Sequence, residues 1–209
     1  MPYPQAWALQ QRLHAERVSG TRADTLVLLE HSPVYTVGRR TQSVHLGRGE
    51  AALRETGAAI EPVNRGGSVT YHGPGQLVGY PILRLSQYAS GPKDYVRLLE
   101  EVLIDTLALS GITGHRMAHK PGVWTESNRG MAKIASIGVR VEQGVTLHGF
   151  ALNIDLNLSP FALIVPCGLE GCETTSMAQI VQSPVSLPRI ACQVAKVFSS
   201  VFHLEWEST

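Results

Sequence analysis

Apolar positions along the chain follow two periods. The segment from Ala6 to Val18 spaces them as an amphipathic helix does. From about Leu187 to His203, Ile190, Val194, Val197, Phe198 and Val201 gather on one side of another helix. GPKDYVRLLEEVLIDTLALSG carries the strongest helical signal. Pro92 suits its first turn, Tyr95, Leu98, Leu99, Val102, Leu103 and Leu109 lie near one face, and Gly111 stops it. Glu50 to Thr56 reads as a short helix ended by Gly57. Strand-like runs fill the space between. TLVLLEH (Thr25 to His31) is followed at once by PVYTVG, which predicts a strand pair, and QLVGYPILRL reads as a further strand. GVWTE, KIASIGVRVE and TLHGFALNIDL continue the series, and SPFALIVPCGLEGCETTSM is irregular, its apolar FALIV a buried strand at most. Strands dominate the middle and helices flank them without strict alternation. The expected class is α+β, with a mixed, mostly antiparallel sheet flanked by helices.

Composition narrows the function classes. A chain of 209 residues with 44% apolar and 17% charged residues is globular and long enough for one domain with a full core. The net charge of +1, with scattered basic residues and 6% aromatics, leaves no nucleic-acid footprint. The segment MPYPQAWALQQRLHAERV lacks the basic-then-apolar order of a signal peptide, and no apolar run approaches the ~18 residues of a spanning helix. Three cysteines, an odd count, argue against a disulfide framework. A soluble cytoplasmic protein is expected.

NRGGSVTYHGPGQLVGYPI (residues 64 to 82) raises the question of phosphate binding. No lysine follows Gly73 or Gly75, as a P-loop requires, and the stretch leads into a strand where a dinucleotide fingerprint would open a helix. Gly-Pro-Gly at 73 to 75 is turn chemistry, while Gly66 and Gly67 allow close approach to a ligand with N–H groups facing it. From spacing alone both readings stay open. Cys167, in VPCGL, suits an exposed thiol at a strand end beside amides able to stabilise an oxyanion. Cys172 and Cys192 have no comparable setting, and a C-x4-C spacing without a second pair argues against zinc.

Four segments together resemble the lipoyl(octanoyl) transferases, the octanoyl-[acyl-carrier-protein]:protein N-octanoyltransferase family. They are HSPVYTVGR (31 to 39), RGGSVTYHGPGQLVGYPI (65 to 82), AKIASIGVRV (132 to 141) and HGFALNIDLNLSPFALIVPCGLEG (148 to 171). The resemblance implies a single acyltransferase domain over residues 1–209, folded like the catalytic domain of biotin and lipoate protein ligases. It places the acyl-accepting cysteine on Cys167 and its partner lysine on Lys133. Substrate-lining residues fall on Arg65, Gly66, Gly67, Ser68, Val69, Thr70, Tyr71 and His72, on Ser136, Ile137 and Gly138, and on Gly149, Phe150 and Ala151. The implied donor is octanoyl-acyl carrier protein. The implied acceptors are the apo lipoyl domains of 2-oxoacid dehydrogenase complexes and the glycine cleavage H protein. No cofactor or metal is implied, and a monomer is expected.

The chemistry is consistent with that assignment. Thioester to amide is downhill, so no nucleotide loop is required. In the mechanism that the resemblance implies, Cys167 attacks as thiolate, favoured by a Lys133 ammonium, and Lys133, once neutral, takes the proton of the acceptor lysine. His72 as base in a Cys–His dyad is the rival to Lys133, and His148 lies in a matched segment. His31, His45, His115, His119 and His203 read as surface or packing residues. Because acyl carrier proteins are acidic, a basic face is expected near the pocket. Arg39, Arg40, Arg65 and Arg140 are its candidates, the first two foremost. An ATP-dependent ligase, a non-catalytic binding module and a thioesterase-like hydrolase are the competing classes.

Overall fold

The computed structural model describes residues 1–168 and 171–205, the side chain of Cys167 excepted. In chain order the elements are α1 (Tyr3–Val18), β1 (Thr25–Leu29), β2 (Val34–Val37), α2 (Glu50–Arg54), β3 (Ala59–Pro62), β4 (Thr70–His72) and β5 (Gln76–Ile82). Then come α3 (Pro92–Ala108), β6 (His115–Met117), β7 (Lys120–Ser127), β8 (Gly130–Glu142), β9 (Val145–Asn153), α4 (Met177–Val181) and α5 (Leu187–Phe202). The large sheet has the order β1-β5-β9-β8-β7-β6 with every pairing antiparallel. In the small sheet, ordered β3-β2-β4, β2 runs parallel to β3 and antiparallel to β4. The α+β class and the mostly antiparallel sheet are as the sequence pattern predicts.

Helices cover both faces of the large sheet at its centre, and for this reason β5 and β9 are buried along their whole length. On one face α3 and α5 pack together. Leu99, Val102, Leu103 and Leu107 of α3 meet Ile190, Val194, Phe198 and Phe202 of α5 over Leu77, Phe150 and Leu152. The four α5 residues recur every fourth position, which lines them up along one stripe, and each contributes about 1.5–3 kcal/mol by leaving water. On the opposite face α1 sets Ala6 against Val78, Tyr80 and Ala151, and Leu13 against Ile82, Val145 and Leu147. A separate core lies under the small sheet, where Tyr35, Leu53, Val69, Tyr71, Phe161 and Ile164 pack together.

Two expectations from the sequence are corrected. TLVLLEH and PVYTVG both form strands but do not pair. β1 joins β5 at the edge of the large sheet, whereas β2 enters the small one. The four residues between them carry the chain from one sheet to the other, with the buried His31 ring at the crossing. FALIV is not a strand either. Ser159–Leu163 is a 3₁₀ turn with Pro160 near its start, and Phe161 plugs the second core edge-on to the Tyr71 ring, so Cys167 follows a turn and not a strand end.

Gly149 marks the closest backbone approach in the large sheet. A Cβ there would stand 2.1 Å from the Gly79 carbonyl oxygen and 2.7 Å from Pro81 Cδ. Backbone cannot yield as a side chain can. Gly149→Ala is expected to lower the stability measured by denaturant unfolding by about 1–3 kcal/mol; a parental midpoint would contradict this close approach.

Candidate active site

A cavity of about 540 Å³ opens at the seam between the two sheets, on the α1 side of the large one. Thr36, Thr70 and His72 of the small sheet face it, as do Val78 and Tyr80 of β5, Ser136 to Val139 of β8 and His148 to Ala151 of β9. Tyr3 of α1, the loop Arg65 to Ser68, and Pro121, Lys133, His45 and Gly168 complete the wall.

The glycine-rich loop is wrapped around a cation. Arg65 is 9% exposed, and its Nη1 donates to the carbonyls of Gly66 (3.0 Å) and Ser68 (2.7 Å). Its Nη2 donates to the carbonyl (2.7 Å) and hydroxyl (2.8 Å) of Thr36. Cβ atoms on Gly38 or Gly138 would come within 2.7 and 3.0 Å of this side chain, so glycine on both neighbouring elements makes room for it. A phosphate loop turns N–H groups inward, whereas these carbonyls surround the guanidinium. The Gly66 N–H instead donates to the Val139 carbonyl at 3.0 Å and seams the loop to β8. The expectation that the Gly66 N–H faces a ligand is therefore corrected. So is Arg65 as a surface cation for carrier protein, since it is enclosed.

Strand alternation sorts the remaining candidates. Thr70 and His72 face the cavity, while Val69 and Tyr71 point into the second core, with Tyr71 against the Tyr35 and Phe161 rings. Those two are removed from the lining. Gly66, Gly67, Ser68, Ser136, Ile137, Gly138, Gly149 and Ala151 all border the cavity. Phe150 borders it too, but its ring packs over Gly79 in the main core.

Lys133, 4% exposed, faces the cavity because of a bulge. Val123 pairs with Ala135 and the next residue, Trp124, with Lys133. Ile134 and Ala135 both enter the main core, so the phase inverts and the lysine turns to the other side. Its Nζ donates to the Pro121 carbonyl at 2.8 Å and lies 5.2 Å from the Trp124 ring centroid. Its backbone pairs with the segment following the proposed nucleophile: Lys133 N donates to Glu173 O (2.7 Å) and Thr175 N to Lys133 O (3.0 Å).

The Cys167 side chain lies outside the described residues. Its backbone belongs to the 3₁₀ turn Pro166–Gly168, and Gly168 stands in the cavity wall. The Gly168 N–H donates to the Val165 carbonyl at 3.0 Å, which removes it as an oxyanion donor. His45, read from sequence as a surface or packing residue, lies against this turn. A Cβ on Gly168 would come within 3.0 Å of its ring, and Val165 N donates to its carbonyl at 2.9 Å. His45 Nδ1 accepts from Ser68 Oγ (2.8 Å) and Gln42 N (3.1 Å), which places the ring proton on Nε2. No local motif marks this histidine; only its fit against residues more than a hundred positions later does.

His72 is committed elsewhere. Its Nδ1 donates to Gln76 Oε1 (2.7 Å) and its Nε2 accepts from the Thr36 hydroxyl (3.2 Å), which in turn accepts from Arg65. The chain continues from Gln76 Nε2 to Asn153 Oδ1 (2.9 Å), from Asn153 Nδ2 to Thr175 O (2.9 Å), and from Thr175 N to Lys133 O. Burial, with the His31 and Arg65 charges, pushes His72 down to about 3. Burial and the Arg65 and Arg140 charges push His148, stacked on Trp7, down to about 3, and burial pushes His31 down to about 4. With both ring nitrogens engaged, His72 links Thr36 to Gln76.

These depressed values fix a sign for pH. The unfolded chain takes up protons near pH 6.5 and the fold does not, so the stability from the three neutral rings is complete above pH 6.5. It is lost as pH falls toward 4, by up to ~1.4 kcal/mol per pH unit per histidine. Denaturant unfolding between pH 7 and 5 is expected to show this decline, and a flat profile would mean that the buried rings carry protons.

A family model for the lipoyl protein ligase A/B catalytic domain matches residues 2–199. The octanoyltransferase of Syntrophotalea carbinolica is 45% identical over 201 residues, covering 96% of this chain and 90% of the relative. That of Chloroflexus aurantiacus is 46% identical over 205 residues, covering 97% and 91%. Among solved structures, a bipartite lipoate protein ligase from Thermoplasma acidophilum superposes with a TM-score of 0.73 at 13% identity, over 96% of this chain and 82% of that one, a likeness of fold. The chain thus belongs to the lipoyl protein ligase A/B catalytic-domain family and, within it, to the octanoyltransferases, which are acyltransferases.

Proposed function

We propose that this protein moves an octanoyl group from acyl carrier protein to a lysine of a lipoyl domain through a thioester on Cys167. One observation carries the reading: Lys133 and Gly168, the neighbour of Cys167, border the same cavity, and backbone hydrogen bonds tie Lys133 to residues 173 and 175. In the first step the Cys167 thiolate attacks the donor carbonyl. The carbon–sulfur bond to the carrier breaks, and the departing thiolate takes a proton from the Lys133 ammonium. In the second step the acceptor amine attacks the acyl-enzyme and passes a proton to neutral Lys133, and Cys167 leaves as thiolate. The apolar walls at Val78, Tyr80 and Ala151 suit an alkyl chain.

The donor's acidic surface suits the rim. Arg39 and Arg40 are exposed and take no part in the ion pairs among the described residues, whereas Arg140 is paired to Glu142 at 2.8 Å. Arg40 borders the cavity, with His119 and Lys120 also at its edge.

Intact-protein mass spectrometry after mixing with octanoyl-acyl carrier protein, without ATP, tests the chemistry. A single hydroxylamine-labile octanoyl adduct is expected on the parent protein and none on Cys167→Ser. Modification of a lipoyl domain only when free octanoate and ATP are supplied would replace this reading with a ligase. For the rim, Arg40→Glu is expected to raise KM for octanoyl-acyl carrier protein about three- to tenfold at low salt, with kcat kept. An unchanged KM would remove Arg40 from donor recognition.

A further inference from the structure

Beside Lys133 lies a buried carboxylate that the acyl-transfer scheme does not use. Glu100 sits on α3 among Tyr95, Leu99, Val102 and Leu103 and is 7% exposed. Its Oε1 accepts from the Gly122 N–H at 3.0 Å, and its Oε2 stands 3.3 Å from Arg116 Nε. The same peptide unit that offers the Gly122 N–H also carries the Pro121 carbonyl, and that oxygen accepts from Lys133 Nζ at 2.8 Å. One amide plane therefore joins a carboxylate on α3 to the ammonium in the cavity.

The plane has little freedom. With its N–H held by a carboxylate, the Pro121–Gly122 amide cannot turn without stranding a buried donor and a charged acceptor. A carboxylate on the N–H also polarises the amide and strengthens the carbonyl as an acceptor. The fit is close: a Cβ on Gly122, whose φ is 113°, would stand 2.4 Å from Ala135 O and 2.8 Å from Lys133 Cε. The Trp124 ring lies near the ammonium as well, anchored by Nε1 to the Lys120 carbonyl at 3.2 Å.

We propose that Glu100 is a positioning residue for acyl transfer, acting through the Pro121–Gly122 peptide to hold the Lys133 ammonium in its place in the cavity. The proposal rests on the role given to Lys133 above. The carboxylate stands outside the cavity wall; through the peptide it sets where the proton-transfer group stands, and an error of an ångström there is costly to rate.

The test is steady-state kinetics on the full chain with octanoyl-acyl carrier protein and a lipoyl domain, comparing the parent with Lys133→Ala, Glu100→Ala, Glu100→Asp and Glu100→Gln. Lys133→Ala is expected to lose activity by about 10²-fold or more. Glu100→Ala should lower kcat on the order of ten- to a hundredfold while KM for the carrier stays parental. Glu100→Gln, whose amide oxygen still accepts from the Gly122 N–H, should restore kcat to within a few-fold. Glu100→Asp, which withdraws the carboxylate by one methylene, should fall between, and it carries the test if the alanine variant does not fold. Parental kcat in Glu100→Ala or Glu100→Asp, with Lys133→Ala inactive, overturns the positioning role alone. So does a glutamine variant as impaired as the alanine one. A parental rate in Lys133→Ala overturns the role of the lysine, and this proposal with it.

Discussion

A buried guanidinium organises the seam on which the site is built. Arg65 reaches across from a loop to Thr36 of the small sheet, and three carbonyl groups and a hydroxyl take up its protons. Stripping a charge of water costs several kcal/mol, and hydrogen bonds from nearly every side are what make it tolerable. The geometry is rigid as a result: moving the small sheet would take the two Thr36 acceptors from a buried charge. Its field extends further, since it helps keep His72 and His148 neutral and hence able to accept or donate single hydrogen bonds in fixed tautomers.

From that cation a line of side chains runs through Thr36, His72, Gln76 and Asn153 to the backbone beside Lys133. The two halves of the molecule divide the work. The stripe of α5 against α3 and the doubly covered strands β5 and β9 supply cohesion through apolar burial, which has no direction. The seam supplies direction through hydrogen bonds, each satisfied by a partner from a different element. The cavity lies between an apolar sheet face and this polar line.

How much of this the sequence displays depends on the range of the interaction involved. The helices α1, α3 and α5 are legible because a 3.6-residue period is local, and the buried runs of β5 and β9 stand out for the same reason. Three- and four-residue strands such as β3 and β4 leave no period to detect, and apolarity alone could not separate a strand from the turn that drives Phe161 into the second core. In the site, Lys133 was reached by resemblance, while its orientation comes from a bulge that no single strand announces. Val69 and Tyr71 part from Thr70 and His72 only by the alternation about a three-residue strand, too short to show a period. No sequence signal marks the roles of His45 and Glu100, because their partners, Gly168 and Gly122, lie far along the chain.

The turn that bears Cys167 is pinned at both ends by main-chain bonds, from Val165 to His45 before it and from residues 173 and 175 to Lys133 after it. Main-chain anchors are indifferent to side-chain identity. A change of side chain at Val165, Glu173 or Thr175 therefore leaves the bonds that hold this segment in place. In evolutionary terms, the placement of the segment and the identity of its anchoring side chains can be selected separately.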